Sequence, residues 1–204
     1  PNYILLGCDG GLYESFDRTK NWKFIDNLPL TQFYKIAVDD AEPFYHVYGG
    51  TQDNNTQGAP SRTDNIHGIR NSDWYIVLGG DGHQPATEPG NPNIVYVQWQ
   101  RGNLNRHDKI TGENVNIKPQ ADLGERTERY NWDSPILVSP HDPKRIYFAS
   151  QRVWKSNDRG DSWTPISKDL TQNINRVTTP FFNKKQKWDN PWDMYAMSNY
   201  STIT

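Results

Sequence analysis

Ser156-Asn157-Asp158-Arg159-Gly160-Asp161-Ser162-Trp163 has the pattern Ser-x-Asp-x-Gly-x-Ser-Trp. Its chemistry is local. The aspartate carboxylate can accept hydrogen bonds from backbone N–H groups of its own turn, and the glycine supplies a positive φ. The tryptophan then closes the turn with a large apolar surface that packs between sheets. A second, degenerate copy reads Ser15-Phe16-Asp17-Arg18-Thr19-Lys20-Asn21-Trp22, with Thr19 in the place of the glycine. Ser15 and Ser156 stand 141 residues apart, which is three steps of 47. The chain between them should therefore be repetitive.

Four segments share one plan of short apolar strand, polar turn, second strand and polar turn: Tyr3–Phe24, Tyr45–Ser61, Asn93–Asp108 and Arg145–Trp163. Three follow turns rich in proline, VDDAEP before Phe44, TEPGNPN before Ile94 and SPHDPK before Arg145. Runs such as Ile94-Val95-Tyr96-Val97 and Ile146-Tyr147-Phe148 favour strand by their β-branched and aromatic content. No stretch carries a helical period. A repeat near 47 residues matches the ~40–50 of propeller blades. The expected fold is all-β, a β-propeller segment of about four four-stranded blades. Their expected bounds are 1–28, 29–78, 79–118 and 119–170, followed by a long insertion over 171–204 that leads into a further blade.

Composition narrows the function classes. The 204 residues carry 22 Lys+Arg against 24 Asp+Glu, a net charge of −2, without the basic surplus an electrostatic nucleic-acid binder needs. No apolar run approaches the ~20 residues of a membrane-spanning helix. Mean hydropathy is −0.92, yet aromatics reach 13%, which sets the chain apart from disordered sequences. The single cysteine, Cys8, lies in the apolar run YILLGC and reads as a small buried residue. The five histidines show no ligand spacing and read as surface or turn residues, with His83 beside Asp81 the one to check. No metal and no cofactor is expected.

The two Ser-x-Asp turns match the Asp-box motif. With TQFYKIAVDD, YGGTQDNNTQGAPS, LGGDG, NIVYVQWQRGNLNRHD, YNWDSPILVSPHDP and SNDRGDSWTPISKDLT, the chain resembles the Asp-box (BNR-repeat) β-propellers. Within that group it is most similar to secreted bacterial glycosyl-hydrolase-like and sortilin N-terminal-like propeller proteins. The resemblance implies a secreted or cell-surface protein, further blades, and either a binding scaffold for glycan, peptide or protein or, alternatively, a xyloglucanase-like glycoside hydrolase.

In a blade with strands A to D running outward, A–B and C–D turns share one face, and B–C turns and D–A connections share the other. The Asp-box residues Ser15, Asp17, Trp22, Ser156, Asp158, Gly160 and Trp163 fall on the first face and read as scaffold. The second face gathers the expected site: Asp53, Arg101, Trp132, Asp133 and Arg152 as ligand-binding residues, with Asp81 and Asp9 as candidate catalytic carboxylates. Asp81 reads as an exposed turn residue whose flanking glycines let its backbone approach a ligand. Asp9 sits in Cys8-Asp9-Gly10-Gly11, similar to the T-D-x-G-G turn of xyloglucanases but one residue short. Asp122, Glu125 and Glu128 occupy the long connection, and Arg101, Arg126, Arg129 and Arg152 are numerous enough to bind a carboxylate. The aromatics Phe181, Phe182, Trp188, Trp192, Tyr195 and Tyr200 mark the insertion as a candidate part of a binding surface.

Overall fold

A computed structural model describes residues 2–28, 30–173 and 202–204. The insertion aromatics from Phe181 to Tyr200 lie outside the described residues. Among the described residues all regular structure is antiparallel sheet, apart from one 3-10 turn at Asn71–Asp73. The chain divides into two compact units, Pro1–Gln32 and Phe33–Thr204.

The smaller unit holds a meander of β1 (Ile4–Cys8), β2 (Gly11–Ser15) and β3 (Lys23–Phe24). It has three described strands where four were expected. Cys8 is exposed rather than buried. It ends β1 opposite Gly11, which has no side chain to cover it.

The larger unit contains three four-stranded meanders. The first runs β4 (Ile36–Val38), β5 (His46–Gly50), β6 (Thr56–Pro60) and β7 (Tyr75–Leu78). The second runs β8 (Ala86–Glu88), β9 (Asn91–Trp99), β10 (Asn103–Asp108) and β11 (Asn114–Asn116). The third runs β12 (Ile136–Val138), β13 (Ile146–Ala149), β14 (Val153–Ser156) and β15 (Thr164–Pro165). The leading strands lie side by side, β4 next to β8 and β8 next to β12. Successive meanders joined along their first strands are the arrangement of β-propeller blades.

The sequence of β9 shows why the sheets stack. Alternate residues of a strand face opposite ways. Val95 and Val97 accordingly join Tyr48 and Val77 in one core cluster, while Ile94 and Tyr96 join Leu104, Ile136, Ile146 and Phe148 in the other. An unbroken apolar run is what a strand covered on both faces requires.

Charged groups cross the sheet boundaries as well. Glu88, at the end of β8, receives both Nε and Nη2 of Arg159 at 2.7 and 2.6 Å, and the Tyr96 hydroxyl donates to it at 3.4 Å. The same parts recur one sheet earlier. Asp39, just after β4, accepts from Lys109 Nζ at 2.9 Å and from the Tyr48 hydroxyl at 2.9 Å. In each case a carboxylate at or just past the end of a leading strand and a tyrosine of the second strand meet a cation from the C–D turn of the following sheet. Burial would raise Asp39, but hydrogen bonds from the His46 amide, Lys109 and Tyr48 hold it down at about 2.

The two Ser-x-Asp turns have matching bonds. Ser156 Oγ donates to Asp158 Oδ1 at 2.7 Å and Ser15 Oγ to Asp17 Oδ1 at 3.1 Å. Gly160 N–H reaches Ser156 Oγ at 2.8 Å, and Thr19 N–H reaches Ser15 Oγ at 2.9 Å. Ser162 N–H and Asn21 N–H each donate to their aspartate at 2.9 Å. Side-chain and backbone hydrogen bonds of this kind hold both Asp17 and Asp158 below the usual carboxylate range. Gly160 has φ +91° and Thr19 φ +71°. A Cβ on Gly160 would lie 2.6 Å from Ile117 Cδ1, so the position needs glycine for space as well as for φ. Trp163 packs against the Phe148 cluster and donates its indole N–H to the Ile117 carbonyl at 2.7 Å.

Candidate functional site

The B–C turns of the larger unit are 51–55, 100–102 and 150–152, and its internal D–A connections are 79–85 and 117–135. Two of these turns hold non-glycine residues in left-handed backbone: Asp53 at φ +62° and Asn55 at +70°, and Arg101 at +63°. Such conformations cost about 1–3 kcal/mol each and cluster at ligand sites. At Arg101 the bend aims its N–H at the Trp132 carbonyl, 3.2 Å away. That bond ties the second meander to the 117–135 connection.

Asp81 is buried, with 9% of its surface exposed, contrary to the reading of it as an exposed turn residue. Its Oδ1 accepts the Asp53 backbone N–H at 2.8 Å. Its Oδ2 accepts the Gln100 side-chain amide at 2.6 Å, and Gln100 Oε1 accepts the Asp81 N–H at 3.2 Å. Asp81 therefore joins the B–C turns of two adjacent meanders. The neighbouring glycines serve the same packing. A Cβ on Gly82 would stand 2.5 Å from Thr56 Oγ1, so close backbone approach here is to the protein's own strand.

Around this bridge stands an aromatic group that the sequence reading had only partly collected. Tyr34 stacks on His83 with ring centroids 5.2 Å apart and 19° between planes. Trp132 and His83 form a T-shaped pair, with centroids 5.9 Å apart and 81° between planes. Tyr34 remains 44% exposed, whereas His83 is 1% exposed, which corrects its reading as a surface histidine; His107 is buried too. Neither ring nitrogen of His83 has a hydrogen-bond partner among the described residues, and neither does the buried Asp133 Oδ1. The other oxygen of Asp133 pairs with Lys35 Nζ at 3.1 Å, which also reaches Gln84 Oε1 at 3.4 Å. Tyr34 donates its hydroxyl to Gln52 in the B–C turn.

Electrostatics follow from this geometry. Burial and the charges of Asp81, Asp53 and Asp133 push the Tyr34 phenol up, against a lowering hydrogen bond from Trp132. Burial pushes His83 down, despite Asp133 and Asp81, so the imidazole is neutral near pH 7. One of its nitrogens is then an acceptor. The rim is an aromatic platform set in a field of carboxylates.

Arg152 belongs to a different cluster. It pairs with Glu128 at 2.6 Å and Glu125 at 3.2 Å and lies 4.5 Å over the Trp154 ring. Arg129 pairs with Asp169. These two arginines thus meet carboxylates of the long connection and of the segment after β15 rather than gathering into an anion cradle. Asp9 sits in the β1–β2 hairpin of the smaller unit and is exposed. Tyr34 and Lys35 were not singled out from sequence, and Gln100 was read only as the partner of Arg101 in its B–C turn. Tyr34-Lys35 stand immediately before β4 in a string whose apolar pattern drew attention to the strand alone.

The larger unit and its rim site define a β-propeller segment with an aromatic, acidic surface on its B–C and D–A side. Solved structures similar to the chain include a GH74 xyloglucanase from Xanthomonas campestris, at 16% identity over 83% of this chain and 29% of that one, with a TM-score of 0.46. A GH74 enzyme from Niastella koreensis matches at 13% identity over 80% of this chain and 27% of that one, TM-score 0.45. Apo AztD from Citrobacter koseri matches at 13% identity over 80% and 43%, TM-score 0.43. The chain spans less than half the length of each. No family model and no curated protein matches it.

Proposed function

We propose that the chain is part of an Asp-box propeller, secreted or at a bacterial cell surface, that acts as a binding scaffold and takes a glycan, peptide or protein ligand on its B–C and D–A side. Asp53, Asp133 and Trp132 of the original set contribute to this site, with Tyr34, Lys35 and His83 added to them. Arg101 and Arg152 shape the turns beside it. The observation that carries the reading is the exposed Tyr34 face stacked on buried His83. An aromatic ring held rigidly beside polar groups gives contact area at low entropic cost and stacks on apolar ligand faces. The Asp-box turns spend their polar groups on their own backbone and act as scaffold.

The alternative, a glycoside hydrolase, requires two carboxyl groups facing one bond. Both Asp81 oxygens are engaged in the bridge between meanders, so Asp81 serves that chemistry poorly. Binding of glycan and peptide panels to the full-length protein tests the scaffold reading. Tyr34→Ala and Trp132→Ala should each weaken any detected ligand, while Trp22→Phe should not. Ligands bound equally well by wild type and by both rim variants would overturn it.

A further inference from the structure

The rim site contains a preference that follows from three features together. The first is acceptor capacity without a matching donor. Asp133 Oδ1 is buried and unpartnered among the described residues, and so is the ring of His83, a side chain 1% exposed whose neutral form has one acceptor nitrogen and one N–H. A carboxylate oxygen buried without a hydrogen bond is unfavourable, and a donor carrying positive charge satisfies it best. The second is the aromatic setting. His83 stacks on Tyr34 and meets Trp132 nearly at right angles, and the rings of Tyr and Trp attract cations through their π faces. The third is the protein's own cation. Lys35 reaches Asp133 Oδ2 at 3.1 Å from a side chain that is 47% exposed. A half-solvated ammonium already rests at the edge of the site.

We propose, resting on the binding role inferred above, that this site selects a primary ammonium presented as a lysine side chain of a peptide. Such a group supplies three donors and one positive charge. Asp133 Oδ1 and the acceptor nitrogen of neutral His83 receive the donors, and Tyr34 and Trp132 flank the cation. The carboxylates of Asp53 and Asp81 add to the attracting field; with burial, which acts most strongly, their charges push the Tyr34 phenol up. Lys35 competes for the same carboxylate. Its removal therefore favours the ligand, an outcome that a neutral sugar would not produce.

The experiment is calorimetric titration of the full-length protein with the capped peptide acetyl-Gly-Gly-Lys-Gly-Gly-amide. The same peptide with Nε-acetyl-lysine and a neutral cello-oligosaccharide form the comparison arms. The lysine peptide should bind at least about tenfold more tightly than its acetylated form, the size of one lost charge-assisted contact. Lys35→Ala should tighten the lysine peptide several-fold, and Asp133→Asn and Tyr34→Ala should each weaken it about tenfold or more. Melting curves establish that each variant is folded, and Lys35→Met serves should Lys35→Ala fail. Binding of the acetylated peptide or the oligosaccharide, lost in Tyr34→Ala and indifferent to Lys35, would overturn the ammonium preference and leave the rim site standing. Absence of binding in every arm, or binding unaffected by Tyr34 and Asp133 substitutions, would overturn both.

Discussion

Replacing Asp81 distinguishes a bridging carboxylate from a reacting one. In Asp81→Ala the Asp53 N–H, 2.8 Å from Oδ1, and the Gln100 amide, 2.6 Å from Oδ2, lose their acceptor together. A hydrogen bond to a charged group contributes about 1.5–3 kcal/mol, and a buried donor left without a partner costs a similar amount. Two such bonds at a site that is 9% exposed place the expected loss at about 3–4 kcal/mol, since some water reaches the vacated space. For a chain of this size that is a fall in Tm of roughly 6–16 °C. Asp81→Asn keeps one acceptor but turns its amide toward the Gln100 amide, so roughly half of that loss is expected. A double-mutant cycle with Gln100→Ala should return a coupling of about 1–2 kcal/mol. Thermal and urea melts of the full-length protein provide the numbers. An Asp81→Ala protein that melts within about 1 °C of wild type would refute the bridge. Trp163→Ala, which strips a large apolar surface from the Phe148 cluster, should cost a similar amount, about 3–5 kcal/mol.

Other outcomes follow from the packing. Arg159→Ala leaves Glu88 buried without its bidentate partner and should cost about 3–5 kcal/mol, whereas Glu88→Gln with Arg159→Met should recover much of it; denaturant melts decide. Asp39 falls from about 3.9 in the unfolded chain to about 2 in the folded one, so its contribution is full above pH 4 and is lost as pH drops through 2. Asp39→Asn should flatten that part of the stability–pH curve, which for one residue amounts to about 2.5 kcal/mol. Gly160→Ala, at φ +91° and 2.6 Å from Ile117 Cδ1, should destabilise by about 2 kcal/mol or more, and Thr19→Gly should stabilise its turn by about 0.5–1 kcal/mol. Hydrogen exchange of the two turns reads both.

The sheets were legible because their signals are local. Ile94 to Val97 is a run that only a doubly covered strand tolerates, and VDDAEP, TEPGNPN and SPHDPK interrupt the chain where strands reverse. The cross-sheet contacts were not legible. Glu88 and Arg159 are separated by 71 residues, and Asp39 and Lys109 by 70, so no spacing rule joins them. The recurrence of carboxylate, tyrosine and cation became visible only once β4 lay beside β8. The rim was half legible. Asp53, Asp81, Trp132 and Asp133 fall in turns that topology assigns to one face, but the sequence does not say that Asp81 points inward to Gln100. Nor does it say that Tyr34, just ahead of a strand, covers a histidine 49 residues further on. Cys8 was misread for a related reason, since burial at a strand end depends on what stands opposite, and Gly11 offers nothing.

The most direct measurement of where this protein meets its ligand is hydrogen–deuterium exchange on the full-length protein, with and without a ligand found in the binding panels. Binding at the rim should slow exchange in residues 33–35, 51–55, 79–84, 100–102 and 131–134 and leave 39–45, 109–113 and 157–163 unchanged. Protection confined to the second set of segments would place the ligand on the Asp-box side and contradict the site.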